Sequence, residues 1–242
     1  DGRGSLYAAG FTESPDFPVR KALQNKLQGK SDAFLARIRV PEFDVQHSTF
    51  LGGSGDDAAW AVAADRFGVP HVSGTTSSID LRVTEGALRA RNAGGKSDAF
   101  VCKLDASGTK LIYSTYFGGS GEDSAGYDGG SLKIDRAGNA WLAGFTTSVD
   151  LPVSRHRKSA FAGGDTDGYI AAITANGSSL HFGSYFGGDD RDLLEGLVLP
   201  VNGSVWAVGL TASRNLPATG ALQPKHGGAR FDAMIVQFSA GR

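Results

Sequence analysis

Residues 98–119, DAFVCKLDASGTKLIYSTYFGG, contain two strand-like runs joined by a short turn. Residues 99–104 and 111–117 are rich in aliphatic, β-branched and aromatic side chains, the composition typical of β-strands. The turn Asp105-Ala106-Ser107-Gly108 separates them, and Gly108 can adopt the positive φ that a tight turn requires. The segment therefore predicts an antiparallel hairpin that ends at the pair Gly118-Gly119.

The same markers return at intervals of 64 to 70 residues along the chain. Since independent markers keep the same order and spacing, the chain is predicted to repeat one structural unit. The markers are the triplets 32–34, 98–100, 167–169 and 232–234, the strand-ending glycines Gly10, Gly74, Gly144 and Gly209, and the pairs 52–53, 118–119 and 187–188.

A complete unit contains two further strand-like segments before this hairpin. Residues 131–135 alternate polar and apolar side chains, residues 136–139 form a turn, and residues 140–144 form a returning strand. Four antiparallel strands in about 65 residues are typical of a propeller blade, so we predict an all-β β-propeller of four-stranded meander blades, with about four repeats.

The repeat units are approximately 1–50, 51–116, 117–185 and 186–242, within a single repeat region 1–242. The first and last units each lack one strand in this alignment, which predicts fourteen strands. The expected arrangement is an arc or segment of a larger propeller, with neighbouring domains of a longer parent chain. A compact four-bladed ring is the alternative.

The composition excludes several function classes. The 24 basic and 25 acidic residues give a net charge of −1, which removes the bulk electrostatic argument for nucleic-acid binding. No run approaches the ~20 apolar residues of a membrane-spanning helix, so no membrane insertion is expected. The single cysteine, Cys102, cannot form an internal disulfide. The 35 glycines favour many short strands and turns.

Four motifs in fixed order resemble the bacterial β-propeller repeat family called SBBP. They are residues 94–101 (GGKSDAFV), 116–123 (YFGGSGED), 135–144 (DRAGNAWLAG) and 147–152 (TSVDLP). The first unit departs from the pattern at Pro41-Glu42-Phe43-Asp44, and the last at Gly188-Asp189-Asp190-Arg191. The resemblance implies a secreted or cell-surface bacterial protein and implies no particular reaction.

The strand order predicts which connections share one end of the blades. The long connection between the second and third strands and the turn that leads into the next blade should emerge together. The long connections carry apolar residues, which suggests that they pack into small cores of their own. These residues are Phe17, Leu23, Leu81, Leu88, Leu151, Phe161, Leu216 and Leu222. A protein or glycan ligand is expected at this end.

The acidic residues after each glycine pair are the candidate ligand-binding residues: Asp56, Asp57, Glu122, Asp123, Asp190 and Asp192. In a ring they would surround the channel, where carboxylate oxygens could hold Ca²⁺, although their spacing matches no known calcium loop. The alternative is that they cap their own turns by accepting local N–H bonds. Asp32, Asp98, Asp167 and Asp232, before the third strand of each unit, are expected to cap turns. We predict no metal site from these residues, and Ca²⁺ is the one cofactor that their carboxylates could hold.

No catalytic residues are assigned. No zinc-protease motif, nucleophile elbow or P-loop is present, and the five histidines do not recur at one repeat position. The basic run 155–158 is expected to be a solvated loop, and Trp60, Trp141 and Trp206 are expected to pack in the core. The sequence thus favours a non-enzymatic binding or scaffold module; the alternative is a propeller hydrolase or lyase with acidic residues at the channel mouth.

Overall fold

A computed structural model describes residues 4–40, 42–126, 131–154, 160–199 and 204–239. Within these ranges the regular structure consists of β-strands, without helices, which confirms the all-β prediction. The strands are β1 (Ser5–Thr12), β2 (Asp32–Arg39), β3 (Asp44–Leu51), β4 (Asp57–Ala64), β5 (Pro70–Thr76), β6 (Asp98–Leu104), β7 (Leu111–Phe117), β8 (Asp123–Ser124), β9 (Ser131–Ile134), β10 (Ala140–Thr146), β11 (Asp167–Ile173), β12 (Leu180–Phe186), β13 (Asp192–Val198), β14 (Ser204–Thr211) and β15 (Asp232–Ser239).

The strands form four antiparallel sheets, one for each repeat unit. The first sheet has the order β1-β2-β3, the second β4-β5-β6-β7 and the fourth β13-β14-β15. In the third sheet β8 and β9 both pair with β10, followed by β11 and β12. Strands adjacent in sequence are therefore adjacent in space, as a meander requires.

The described residues form fifteen strands instead of the predicted fourteen, and the difference lies in one place. In place of the predicted first strand of the third unit, the structure has two short strands, β8 and β9, on the same edge of β10. Residues 127–130 between them lie outside the described residues.

The strand-ending glycines allow two strands to approach closely. A Cβ on Gly74 would collide with the backbone carbonyl of Ala58 on the neighbouring strand. The register of β4 against β5 shifts between Ala59 and Ala61, immediately beside this contact. Gly144 and Gly209 meet the backbone carbonyls of Ser124 and Leu193 in the same way. Sterics thus explain the glycine at these three positions, because any side chain would separate the strands, whereas a Cβ on Gly10 would meet the Phe34 ring.

Each sheet packs on the next through an apolar layer. Leu35 of the first sheet and Phe100 of the second belong to one buried cluster, Val101 of the second and Tyr169 of the third to another, and Ile170 of the third and Met234 of the fourth to a third. Consecutive residues of one strand thus face different neighbouring sheets, as the alternation of strand side chains requires. The first strands of the second, third and fourth units also contact each other, β4 against β9 and β9 against β13, and β1, the second strand of the repeat, contacts β4.

The first unit turns tightly without the glycine found elsewhere. Phe43 has φ of 53°, in the left-handed region, at the turn where Gly108 and Gly177 have φ of 76° and 75°. Pro41, in the same departure from the repeat pattern, lies outside the described residues. The turn is therefore made by a residue that is strained in this conformation.

Candidate functional site

The structure confirms that the turns after the glycine pairs and the long connections lie at the same end of the sheets. The backbone N–H of Ser54, in the turn between β3 and β4, donates to Asp80 Oδ1 at 2.8 Å, and its hydroxyl donates to the same oxygen at 2.9 Å. Asp80 belongs to the connection between β5 and β6. Ser120 and Asp150 repeat both bonds one unit later. We call this end of the molecule the long-connection end.

The buried acid of each turn is used within its own unit. Asp57, the first residue of β4, is 1% exposed. Its Oδ2 accepts hydrogen bonds from Gly53 N–H at 2.8 Å and from the Ser78 hydroxyl at 2.7 Å. Its backbone N–H donates to the Ser31 carbonyl of the preceding unit at 2.9 Å. Asp57 thus joins its turn, its long connection and the previous unit.

Asp123 and Asp192 repeat these contacts. Asp123 Oδ2 accepts from Gly119 N–H at 2.6 Å and from the Ser148 hydroxyl at 2.8 Å, and its Oδ1 accepts from the Thr146 hydroxyl. Asp192 Oδ2 accepts from Gly188 N–H and from the Ser213 hydroxyl, both at 2.7 Å. Burial raises the pKa of Asp57 and of Asp123, against the lowering effect of these hydrogen bonds. These are the bonds of a turn cap.

The other three predicted residues have more accessible side chains. Asp56 and Asp190 are exposed, and Glu122 is half-buried. Glu122 lies 3.5 Å from Lys96 Nζ, and Asp190 Oδ1 accepts from Arg191 N–H at 2.8 Å. These carboxylates can meet a partner at the long-connection end, whereas Asp57, Asp123 and Asp192 cannot.

Each buried turn acid lies near a second buried aspartate. A Cβ on Gly118 would collide with both Asp98 Oδ1 and Asp123 Oδ2, so the two carboxylates flank this glycine. Asp98 Oδ2 accepts from Ala93 N–H at 2.6 Å, while Oδ1 has no partner among the described residues. Burial raises the pKa of Asp98 to about 7, and the Asp123 carboxylate adds to that shift.

The same arrangement occurs around Gly52, with Asp32 and Asp57, and around Gly187, with Asp167 and Asp192. Burial raises the pKa of Asp167 to about 6, with a contribution from Asp192. Asp32 accepts N–H bonds from Gln28 and Gly29, both at 3.0 Å, and Asp232 accepts from Gly227 N–H. The aspartates before the third strands thus accept the local N–H bonds of turn caps. A glycine is required between each pair because the carboxylates occupy the space of a side chain.

Tyrosines of the outer strands hold the long connections. The Tyr116 hydroxyl donates to the Ser78 carbonyl at 2.8 Å and accepts from Leu81 N–H at 2.9 Å. Tyr185 makes the matching bonds to Ser148 and Leu151. This tyrosine role was not predicted, because nothing local in the sequence marks a contact 35 residues away.

Most of the apolar residues in the long connections pack as predicted. Leu81 and Leu151 are buried, and Leu23, Leu88, Phe161 and Leu216 pack against the core. Phe17 contacts the rings of Phe34 and Phe50. Leu222 is fully exposed, so the prediction is wrong there: within the described residues no strand lies beyond β15 to cover it.

The tryptophans divide into two groups. Trp141 is buried between the third and fourth sheets, as predicted. Trp206 is 39% exposed and lines a cavity of about 510 Å³ with the half-buried Trp60. For Trp206 the prediction of core packing is wrong, because the described residues place no further sheet against that face of β14.

Exposed aliphatic side chains at the long-connection end were also not predicted. Ile79 is 79% exposed and Val149 is 71% exposed, at the same position of two successive connections. Each directly precedes the aspartate that binds a serine of the neighbouring turn, Asp80 or Asp150. Hydrogen bonding to these serines lowers the pKa of both aspartates. The exposed aliphatics are thus held on ordered backbone and flanked by negative charge.

The remaining predicted features form no cluster. Within the described ranges, no three histidine, cysteine or acidic side chains are close enough together to hold a metal ion. The same ranges include no helix that is long and apolar enough to span a bilayer. The basic run 155–158 lies outside the described residues.

Comparison with known proteins yields no assignment. No protein-family profile matches the chain, and no curated protein matches it.

Proposed function

We propose that the chain is a non-enzymatic binding module, a β-propeller arc of a secreted or surface protein, that contacts a protein ligand through its long-connection end. The four sheets support the propeller arrangement, since each packs on the next through equivalent faces and the first strands of the second, third and fourth units contact each other in turn. The resemblance to the SBBP repeat supports the location.

The observation that carries this proposal is the surface of Ile79 and Val149. Exposed aliphatic side chains on hydrogen-bonded backbone contribute apolar area without a large ordering cost on binding. The accessible carboxylates of Asp56, Glu122 and Asp190 lie on turns at the same end. A basic and apolar segment of a protein has the complementary chemistry. A glycan is less well matched, because the exposed large apolar side chains described in these connections are aliphatic and sugars stack on aromatic rings.

The hydrogen bonds of the buried aspartates favour a binding function over a catalytic one. Asp57, Asp123 and Asp192 direct Oδ2 at a backbone N–H and a serine hydroxyl of their own unit. A catalytic pair would need carboxylates that reach a substrate. The same contacts recur in three units, which is the pattern of a structural role.

The test compares a double variant, Ile79→Ser with Val149→Ser, with the wild type and a control, Ile112→Ser. Ile112 is exposed on β7, next to the tight turn at the opposite end of the sheets. Each protein is used to select from a displayed peptide library and is applied to a glycan array and a hydrolase substrate panel.

We expect basic, aliphatic peptides that bind the wild type and the control and lose affinity for the double variant. Binding only to glycans, turnover of a substrate, or peptide binding unaffected by the double variant would contradict the proposal.

A further inference from the structure

A cavity of about 390 Å³ lies between the first two sheets. Its walls come from β3, β6 and β7 and from both long connections, residues 23–28 and 81–82. Leu51, Phe100 and Cys102 form a buried apolar wall. The volume falls at the small end of the range of known small-molecule sites, about 300–1,000 Å³.

The side chains at this interface are smaller than those at the next one. Leu51, the last residue of β3 in the first sheet, directly precedes the glycine pair 52–53, and Phe117 holds that position at the end of β7 in the second sheet. The Phe117 ring packs against Tyr169, with ring centroids 5.4 Å apart, and fills the space between the second and third sheets. Phe100 holds the repeat position of Tyr169, but Leu51 has no ring that could pack against it. A phenylalanine at position 51, like the one at position 117, would therefore fill the cavity.

The apolar wall is chemically inert. Burial raises the pKa of the Cys102 thiol to about 12, so this side chain acts as a small apolar group. The nearby Asp32 carboxylate is already occupied by Gln24 Nε2 and by the N–H groups of Gln28 and Gly29. The inner part of the cavity therefore suits a hydrocarbon group.

Two cations lie at the rim. Lys26 and Arg82, from the two long connections, both line the cavity and are solvent-exposed. Neither forms an ion pair with a side chain in the described ranges. An apolar cavity with unpaired cations at its mouth is complementary to a molecule with an apolar body and an anionic head.

We propose that this cavity binds a small amphipathic carboxylate, such as a medium-chain fatty acid, with the chain against Phe100 and Leu51 and the head group at Lys26 and Arg82. Neither Ile79 nor Val149 lines the cavity, and this proposal does not depend on the proposed protein ligand.

The test measures binding of decanoate to the folded protein by isothermal titration calorimetry, with decanol and acetate as comparison ligands. Lys26→Gln combined with Arg82→Gln removes the charges at the rim. Arg91→Gln is the matched control, because Arg91 holds the corresponding exposed position in the next long connection. Leu51→Phe places in the cavity the residue that the next unit carries, and Leu111→Phe is a second filling variant.

We expect saturable decanoate binding that weakens about tenfold or more in the double rim variant, the loss expected from removing a hydrogen bond to a charged group. The Arg91→Gln control should bind as the wild type does, decanol should be insensitive to the rim variant, and acetate should not bind. At least one filling variant that melts like the wild type should lose binding.

Absence of saturable decanoate binding to the wild type would overturn the proposal, as would unchanged binding in the rim and filling variants. The Ile79→Ser and Val149→Ser variant should bind decanoate normally, so failure of the protein-ligand proposal would leave this result standing.

Discussion

The backbone N–H of Asp189 donates to Asn215 Oδ1 at 2.9 Å, at the position where earlier units pair a serine with an aspartate. In those units, as with Ser54 and Asp80, the serine hydroxyl donates a second bond to the carboxylate. Asp189 brings a carboxylate instead of a hydroxyl, so an aspartate at position 215 would face a like charge. The neutral amide keeps the backbone bond without this repulsion. The unit that departs from the repeat motif thus carries a matching change in its long connection.

Asn215→Asp should therefore destabilise the protein by about 1 kcal/mol, the scale of an unfavourable exposed charge pair, and more strongly at low salt. Denaturant unfolding at two ionic strengths measures this. Adding Asp189→Ser, which recreates the pair of the other units, should restore stability. A single variant as stable as the wild type at low salt would show that the pairing has no energetic role.

Tyr116→Phe should destabilise the protein by about 1–2 kcal/mol, because it leaves the Ser78 carbonyl and Leu81 N–H without their partner. Tyr113→Phe is the matched control: the Tyr113 hydroxyl is buried with no hydrogen-bond partner in the described structure, so its removal should be neutral or stabilising. Chemical denaturation of both variants provides the comparison. Equal losses in the two would mean that the hydroxyl bonds of Tyr116 do not hold the connection.

The buried Asp98 should make stability fall as pH rises. Because its folded-state pKa is raised to about 7 from 3.8, the folded protein holds a proton that the unfolded chain releases between these values. In Asp98→Asn this part of the pH dependence should disappear. The stability of the variant should therefore rise relative to that of the wild type as the pH increases from 4 to 7.

Asp80→Asn is the control for this pH profile, since hydrogen bonds from Ser54 lower the pKa of Asp80 and place its titration below that window. Melting temperatures across the window measure the slope. An Asp98→Asn variant with the wild-type slope would show that Asp98 is not the titrating group.

Phe43→Gly should stabilise the protein by roughly 0.5–1 kcal/mol. A left-handed conformation costs a non-glycine residue about 1–2 kcal/mol, and the greater freedom of glycine in the unfolded chain offsets part of the gain. Gly108→Ala provides the opposite case, because Gly108 has a positive φ and a Cβ there would press against the His47 ring. Thermal unfolding should separate the two variants in sign. A loss of stability in Phe43→Gly would mean that the ring makes contacts worth more than the strain.

The strands could be predicted from sequence because their causes are local. The hairpin of residues 98–119 combines strand composition with a glycine turn, and the same combination returns in each unit. Pairing between sequential strands then requires no long-range information. The exception is the first strand of the third unit, where β8 and β9 replace one continuous strand.

The candidate site could be predicted only in part, because its contacts join distant segments. The acids after each glycine pair are visible as a motif, but the bond between Asp57 and Ser78 depends on the path of a long connection. The cavity beside Leu51 exists because the interface between the first two sheets has smaller side chains than the interface between the second and third. Trp206 is exposed because, within the described residues, no further sheet packs against its face of β14. Neither property can be read from residue type or spacing.

The most direct test concerns whether the carboxylates of Asp57, Asp123 and Asp192 serve their own turns or a shared cation. The measurement is the melting temperature of the wild type, the three single alanine variants and the triple variant, each with calcium and with chelator. We expect each single change to cost about 1–2 kcal/mol, the losses to add, and chelator to change nothing, since each carboxylate already binds a turn N–H and a serine hydroxyl. A chelator effect in the wild type that vanishes in every single variant would contradict this, because one bound ion would then depend on all three residues.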